Sequence, residues 1–191
     1  MDEELKRYKD LVTQMFEIDS KEPFSNGQPS HAAVIFAEML RRSKSHVMIF
    51  CKELAEDVFD KERDIIPALK AALSRNVDVS IIIQDEPKSA EFLNHARKFL
   101  EDRLLPGEVS VIGCGALPEL DVIRNLPWNF AVMDGKATRT ELDKGVVQAT
   151  ACANDPATAK DLIATFKKIQ RFLRACGNGV DYLAPNAPSL A

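Results

Sequence analysis

With 191 residues, the chain is long enough to form one domain with a full hydrophobic core. Its 46% apolar and 28% charged residues exclude wholesale disorder. Its net charge of -4, with basic and acidic residues interspersed, does not favour a nucleic-acid binder, because such proteins usually carry a basic surplus.

The cysteines and histidines show no metal-ligand spacing. No two cysteines form a C-x-x-C pair, and the residues concerned are scattered along the chain: Cys51, Cys114, Cys152, Cys176, His31, His46 and His95. We therefore predict buried free thiols in a reducing compartment, no metal site and no cofactor.

The N-terminus predicts a cytoplasmic protein. Met1-Asp2-Glu3-Glu4 is acidic and lacks the apolar segment of a signal peptide. No apolar run approaches the ~20 residues that cross a bilayer, so we expect no contact with a membrane.

The first half of the chain alternates between helical and strand patterns. Apolar residues at helical spacing predict helices over residues 2–18, 31–43, 63–75 and 88–104, and short apolar runs predict strands over 46–51, 77–83 and 109–112. Strands separated by helices indicate parallel pairing through right-handed crossovers.

The second half begins with a connection over 113–127 and then predicts a β-hairpin. The apolar run from Phe130 to Met133 enters Asp134-Gly135, a tight-turn signal, and a second run over 138–142 follows. A strand over 146–152 and a helix over 156–176, with Asp155 as its N-cap, complete the pattern. We predict an N-terminal helix and loop over 1–29, an α/β domain over 30–176 and a loosely ordered tail over 177–191.

Four segments of this sequence resemble one half of a phospholipase D-like protein. Ala37 to Ile49 looks like the family's helix and first strand, and Ile66 to Ile83 looks like its helix, small turn and V-x-V strand. Asn129 to Gly135 looks like the strand of the catalytic motif, and 154–169 looks like the C-terminal helix. The match covers about residues 30–173. It implies a phospholipase D-like α/β fold, with a mixed, mostly parallel sheet flanked by helices, to which this chain adds an N-terminal helix.

The chain departs from that family at the catalytic motif, which is His-x-Lys, four further residues and Asp. In the family the histidine attacks phosphorus, and the lysine stabilises the phosphoryl oxygens. With Asp134 as the motif aspartate, Pro127 holds the histidine position and Asn129 holds the lysine position. Proline is no nucleophile, asparagine has no positive charge, and residues 141–144 replace the Gly-Ser-x-Asn often found downstream. We therefore predict that phosphohistidine catalysis is lost at this site.

The hairpin also supplies the candidate ligand-binding residues, which are Asn129, Asp134, Lys136, Arg139 and Glu141. Arg139 and Glu141 project from the same face of a strand, and the planar fork of an arginine suits a phosphate. The alternative is a solvated hairpin tip in which Asp134 shapes the turn.

Three functions are compatible with these features. The favoured one is a non-catalytic phospholipase D-like module for protein interaction or ligand binding, and the resemblance implies a homodimer with an isologous two-fold interface. The second is a nuclease or phosphodiesterase that uses displaced residues such as His31, Asp134 and Arg139 with Glu141. The third is a nucleic-acid-binding module, which the acidic net charge disfavours.

Overall fold

The computed structural model describes residues 3–59, 64–102, 104–114, 129–141, 148–177 and 179–187. Its helices are α1 (Glu3–Glu17), α2 (Pro29–Arg42), α3 (Glu56–Phe59), α4 (Ile65–Ser74), α5 (Ala90–Glu101) and α6 (Pro156–Cys176). Its strands are β1 (Phe24–Asn26), β2 (His46–Cys51), β3 (Asp78–Ile83), β4 (Val109–Cys114), β5 (Asn129–Met133), β6 (Ala137–Glu141), β7 (Ala149–Cys152) and β8 (Gly179–Asp181). Pro127 and residues 142–144 lie outside the described residues. In the described parts of the chain, no helix combines the length and apolarity of a membrane span.

One eight-stranded sheet runs through the described residues in the order β1-β7-β6-β5-β2-β3-β4-β8. β2, β3 and β4 pair in parallel, as predicted for strands joined by helices. The other five pairings in this sheet are antiparallel. The prediction of a mostly parallel sheet is therefore wrong, because the predicted hairpin pairs antiparallel with its neighbours and the short edge strands β1 and β8 add further antiparallel pairings.

The two faces of the sheet pack against different helices. Side chains alternate between faces along a strand, so Val47 and Ile49 of β2 join a core with α1, α2, α4 and α5. Phe50 points to the other face, where its ring stacks on Phe130 at 5.2 Å and packs under α6. Of the candidate residues, Asn129, Arg139 and Glu141 project from the first of these faces, which we call the α2 face.

The N-terminal residues share the core of the α2 face. Val12 of α1 is fully buried, and Phe16 meets Phe24 of β1 edge-to-face with ring centroids 6.4 Å apart. β1 pairs with β7, which makes it an edge of the sheet. Core contacts therefore cross the boundary predicted at residue 30, and truncation at Ser30 remains the test of that boundary.

The C-terminal segment, predicted as a loose tail, forms the opposite edge of the sheet over residues 179–181. β8 pairs with β4, and Tyr182 and Leu183 are buried behind it. The Tyr182 ring lies against Gly113, so that any side chain at Gly113 would collide with it. Arg97 holds the segment by donating from Nη2 to the carbonyl oxygen of Tyr182 at 2.8 Å.

Candidate functional site

The predicted hairpin is present as β5 and β6. Asp134 and Gly135 of the turn have φ angles of 51° and 68°, a region that glycine adopts freely and aspartate tolerates. Asn129 pairs with Glu141 across the two strands, at the end far from the turn. We call the end with Asp134 and Lys136 the turn end, and the end with Asn129, Arg139 and Glu141 the open end.

At the turn end, the Asp134 carboxylate is occupied by the chain itself. It accepts hydrogen bonds from the backbone nitrogens of Lys44 at 2.8 Å, Ser45 at 2.9 Å and His46 at 3.0 Å, and from the Ser45 hydroxyl at 2.9 Å. Partial burial acts to raise the pKa of Asp134, but these hydrogen bonds together hold the pKa below its ordinary value. Asp134 therefore fastens the hairpin to the start of β2.

Lys136 and its neighbours also make contacts within the chain. Its ammonium group forms an ion pair with Asp19, which follows α1, and its carbonyl oxygen accepts from the Asp155 nitrogen at 2.7 Å. Asp19 also accepts from the Asn154 side chain at 3.0 Å. A groove of about 680 Å³ lies beside these residues, but Arg42 on its wall is paired with Glu38 and Glu17. The turn end thus joins α1, the hairpin and the start of α6.

At the open end, Arg139 is buried with incomplete hydrogen bonding. Its side chain is 4% exposed and donates from Nη2 to Oε2 of Glu141 at 3.2 Å. The guanidinium lies 5.2 Å from the centroid of the Phe36 ring of α2. The Nε atom has no hydrogen-bond partner among the described residues. An unpaired buried donor of this kind lowers the stability of the folded state by about 1–3 kcal/mol.

Arg139 stays charged although its side chain is buried. Burial lowers the pKa of Arg139, and the neighbouring Glu141 carboxylate opposes that shift. A guanidinium is not deprotonated in proteins at neutral pH, so Arg139 keeps its charge. The open end therefore carries a charged pair in a largely apolar setting.

A pocket of about 290 Å³ opens beside this pair, at the carboxyl end of β2. Its polar wall comprises Asn129, Arg139 and Glu141 with Lys52 and Glu53, and Phe36 and Phe59 contribute to its apolar wall. Asn129 accepts at Oδ1 from the Lys52 backbone nitrogen at 2.6 Å, which leaves its amide NH₂ as a donor. We call this cavity the Arg139–Glu141 pocket.

A second buried polar side chain lies in the same row of the sheet. Asn26 of β1 is 1% exposed, and neither side-chain atom has a hydrogen-bond partner in the described part of the chain. Asn26 is aligned with Ala149, then Glu141 and then Asn129, on successive strands. The small side chain of Ala149 lies between Asn26 and Glu141 in this row. Three of the four residues in the row, Asn26, Glu141 and Asn129, are therefore polar.

Among the described residues, the cysteines and histidines have the following environments. Burial raises the pKa of the Cys51 thiol beside the pocket, and that of Cys114, to about 12 in each case, so neither is a thiolate at neutral pH. The three histidines all lie in the described residues, and none lines the pocket. His31 stacks on Tyr8 at 3.8 Å, His46 contacts Ser45 at the turn end, and His95 lies on α5. Within the described residues, no cluster of His, Cys, Asp and Glu could hold a metal ion.

The structure thus divides the five predicted site residues into two groups. Asn129, Arg139 and Glu141 meet at the pocket, whereas Asp134 and Lys136 lie toward the turn. At about 3.4 Å per residue, Asp134 is about 17 Å from Asn129 along β5, and Lys136 is about 10 Å from Arg139 along β6. The sequence analysis missed Lys52, Phe36 and Asn26. Lys52 could have been found from its place after a buried strand, where ligands often bind in α/β sheets.

Comparison of the sequence with known proteins gives no match to a protein-family model and no match to a curated protein. Comparison of the structure does find similar folds. Phosphatidylserine synthase of Haemophilus influenzae Rd KW20 superposes with a TM-score of 0.59 and 13% identity, over 97% of this chain and 45% of the synthase. TrmBL2, an archaeal chromatin protein described with a novel mode of DNA binding, gives 0.54 and 11%, over 87% of this chain and 60% of TrmBL2.

Nuc of Salmonella typhimurium, a phospholipase D family member, is also similar. It matches with a TM-score of 0.47 and 17% identity, over 84% of this chain and 99% of Nuc. At such identities the comparisons concern the fold alone. The predicted α/β fold, a mixed sheet flanked by helices with an additional N-terminal helix, is confirmed, and the synthase shares this fold. This chain spans about half the length of the synthase and about three fifths of TrmBL2.

Proposed function

We propose that this chain is a non-catalytic phospholipase D-like domain that binds a ligand in the Arg139–Glu141 pocket. The observation that carries the proposal is the buried Arg139, whose Nε atom has no partner among the described residues although the side chain is 4% exposed. Buried polar groups are normally satisfied, so an exception calls for an explanation, and a ligand that completes the hydrogen bonding is one. The pocket combines an apolar wall with a few polar groups, as small-molecule sites do.

The same residues argue against catalysis. Where the resemblance requires a lysine, Asn129 supplies a neutral amide whose oxygen is bound to the Lys52 backbone. Arg139 is already partnered by Glu141, which reduces the positive charge that it could offer to a transition state. Cys51, the nearest thiol, is protonated at neutral pH. These contacts favour binding over phosphoryl transfer.

The test of the non-catalytic proposal is an assay of phosphodiester hydrolysis. Purified protein is incubated with a chromogenic diester and with single-stranded DNA, in the presence of EDTA, beside an Arg139→Lys variant whose folding is checked by thermal unfolding. We expect no turnover by either protein. Turnover that is lost in Arg139→Lys would overturn the proposal and make the pocket an active site.

The homodimer implied by the resemblance is proposed here on that resemblance alone. Its test is the molar mass measured by light scattering over a range of protein concentrations. A mass of two chains that persists on dilution would support the two-fold dimer, and a mass of one chain at all concentrations would exclude it.

A further inference from the structure

We propose that the Arg139–Glu141 pocket selects an uncharged planar heterocycle with a lactam edge, in which a ring carbonyl adjoins a ring N–H. A phosphate anion is the ligand class that this proposal excludes. The inference rests on the proposed function, because it names the ligand of the same pocket.

The charges of the pocket disfavour an anion. Arg139 and Lys52 are its cations, but Arg139 is 3.2 Å from Glu141, and the ammonium of Lys52 is 3.9 Å from Asp85. Asp57 also lines the cavity, as does Glu53, which is paired with Lys88 at 2.9 Å. A phosphate placed against Arg139 would therefore meet the Glu141 carboxylate at close range, where like charges repel.

Arg139 and Glu141, whose nearest charged atoms are 3.2 Å apart, give the pocket wall a donor side chain beside an acceptor side chain. Arg139 Nε–H is a buried donor without a partner among the described residues, and the Arg139 contact engages Glu141 through Oε2. A lactam edge offers its carbonyl oxygen to the Arg139 guanidinium and its N–H to the Glu141 carboxylate. The NH₂ of Asn129, whose oxygen accepts from the Lys52 backbone, supplies a further donor group to the pocket wall. A ligand with this edge satisfies the guanidinium without displacing Glu141.

The shape of the pocket fits a small ring system. Its volume of about 290 Å³ lies at the lower end of ligand pockets, which excludes a long lipid chain. Phe36 and Phe59 stand 5.4 Å apart at an angle of 32°, and Ala32 and Pro29 extend the apolar wall. Aromatic and small apolar side chains of this kind pack against the faces of a planar ring.

The experiment compares three probes by isothermal titration calorimetry. Uracil carries the lactam edge, 1,3-dimethyluracil keeps the ring and carbonyls but lacks the N–H groups, and inorganic phosphate is the anion. We expect the full chain to bind uracil, and to bind the dimethyl compound about tenfold or more weakly because a hydrogen bond to Glu141 is lost. This comparison of probes uses only the wild-type protein, so its result does not depend on whether a substituted protein folds.

In the Glu141→Gln variant, the affinities for uracil and for phosphate should change in opposite directions. We expect uracil binding to weaken about tenfold, because the neutral amide accepts less strongly. Phosphate that binds the wild type, and binds Glu141→Gln more tightly, would overturn the inference while leaving the pocket as a binding site. Uracil that binds with equal affinity to Arg139→Lys, Glu141→Gln and wild type would place the uracil site outside the pocket and overturn the inference, whereas the proposed function would still be tested by its own assay.

Discussion

The two ends of the β5–β6 hairpin carry similar residues in opposite states. At the turn end, the Asp134 carboxylate accepts four hydrogen bonds from neighbouring residues of the chain, and Lys136 is paired with Asp19. At the open end, Arg139 is more deeply buried and yet keeps an Nε donor without a partner among the described residues. On the proposal made here, the charges of the turn end serve the fold, and the buried charge of Arg139 with its unpaired donor marks a site for a ligand.

The largest effect on stability should come from breaking the pair at the open end. Arg139→Met leaves the Glu141 carboxylate without its partner, and we expect the free energy of unfolding to fall by about 3–4 kcal/mol. The double variant Arg139→Met/Glu141→Leu should return to within about 1 kcal/mol of the wild type, because apolar side chains of similar volume can replace a buried ion pair. Urea denaturation measures both values.

A double variant as unstable as the single one would contradict this view of the open end. It would show that the Arg139–Glu141 pair supports the fold in the way that Asp134 does. The contrast between the two ends would then disappear.

The next effect concerns the turn end. Asp134→Ala removes the acceptor of four hydrogen bonds and places alanine at a positive φ, so we expect unfolding to become easier by about 2–3 kcal/mol. Asp134→Asn is the matched control, because asparagine tolerates this φ and keeps one acceptor oxygen, and it should lose about half as much. Equal stability of all three proteins in urea would show that these hydrogen bonds contribute nothing.

The pH dependence of stability also tests the role of the hydrogen-bonded Asp134 carboxylate. The pKa of Asp134 is lowered in the folded protein, so its stabilising contribution is complete above the unfolded value of about 4 and is lost as the pH falls through the folded value. We therefore expect the advantage of the wild type over Asp134→Asn to be constant near neutrality and to shrink in acid. An advantage that grew in acid would contradict the hydrogen-bonded carboxylate.

The smallest effect concerns the start of α6, next to the turn end. The Asp155 side chain accepts from the Thr158 backbone nitrogen at 3.0 Å as an N-cap, as predicted from the sequence. Asp155→Ala should cost about 1 kcal/mol in thermal or urea unfolding, and Asp155→Ser should recover most of it. Failure of serine to rescue would mean that the capping hydrogen bond is not what stabilises this helix end.

Local patterns predicted the elements of this chain well. The Asp134-Gly135 turn, the shared face of Arg139 and Glu141, and the cap of α6 by Asp155 each depend on residues within a few positions of one another, and the structure shows all three. The sheet pairings depend on distant residues. β1 and β8 are three residues long, and the antiparallel pairing of β2 with β5 joins segments about 80 residues apart, so periodicity does not reveal them.

The candidate site could be predicted only in part, because some of its contacts join residues that are far apart in the chain. Asn129, Arg139 and Glu141 were singled out from the motif and the hairpin, and strand register brings them together. The completed hydrogen bonds of Asp134 come from residues 44–46, and the wall of the pocket includes Phe36 and Lys52. These contacts come from elements far away in the chain, so only the folded structure separates the scaffold from the site.

The central claim is that the open end of the hairpin, and not its turn end, is the ligand site. An NMR titration of isotope-labelled protein with uracil tests it directly, because the Arg139 Nε–H and the Asn129 side-chain amide have resonances of their own. We expect these two signals to shift on binding, while the backbone amides of Lys44, Ser45 and His46, which bind Asp134, stay in place. Shifts at Lys44, Ser45 and His46 with none at Arg139 would contradict the account.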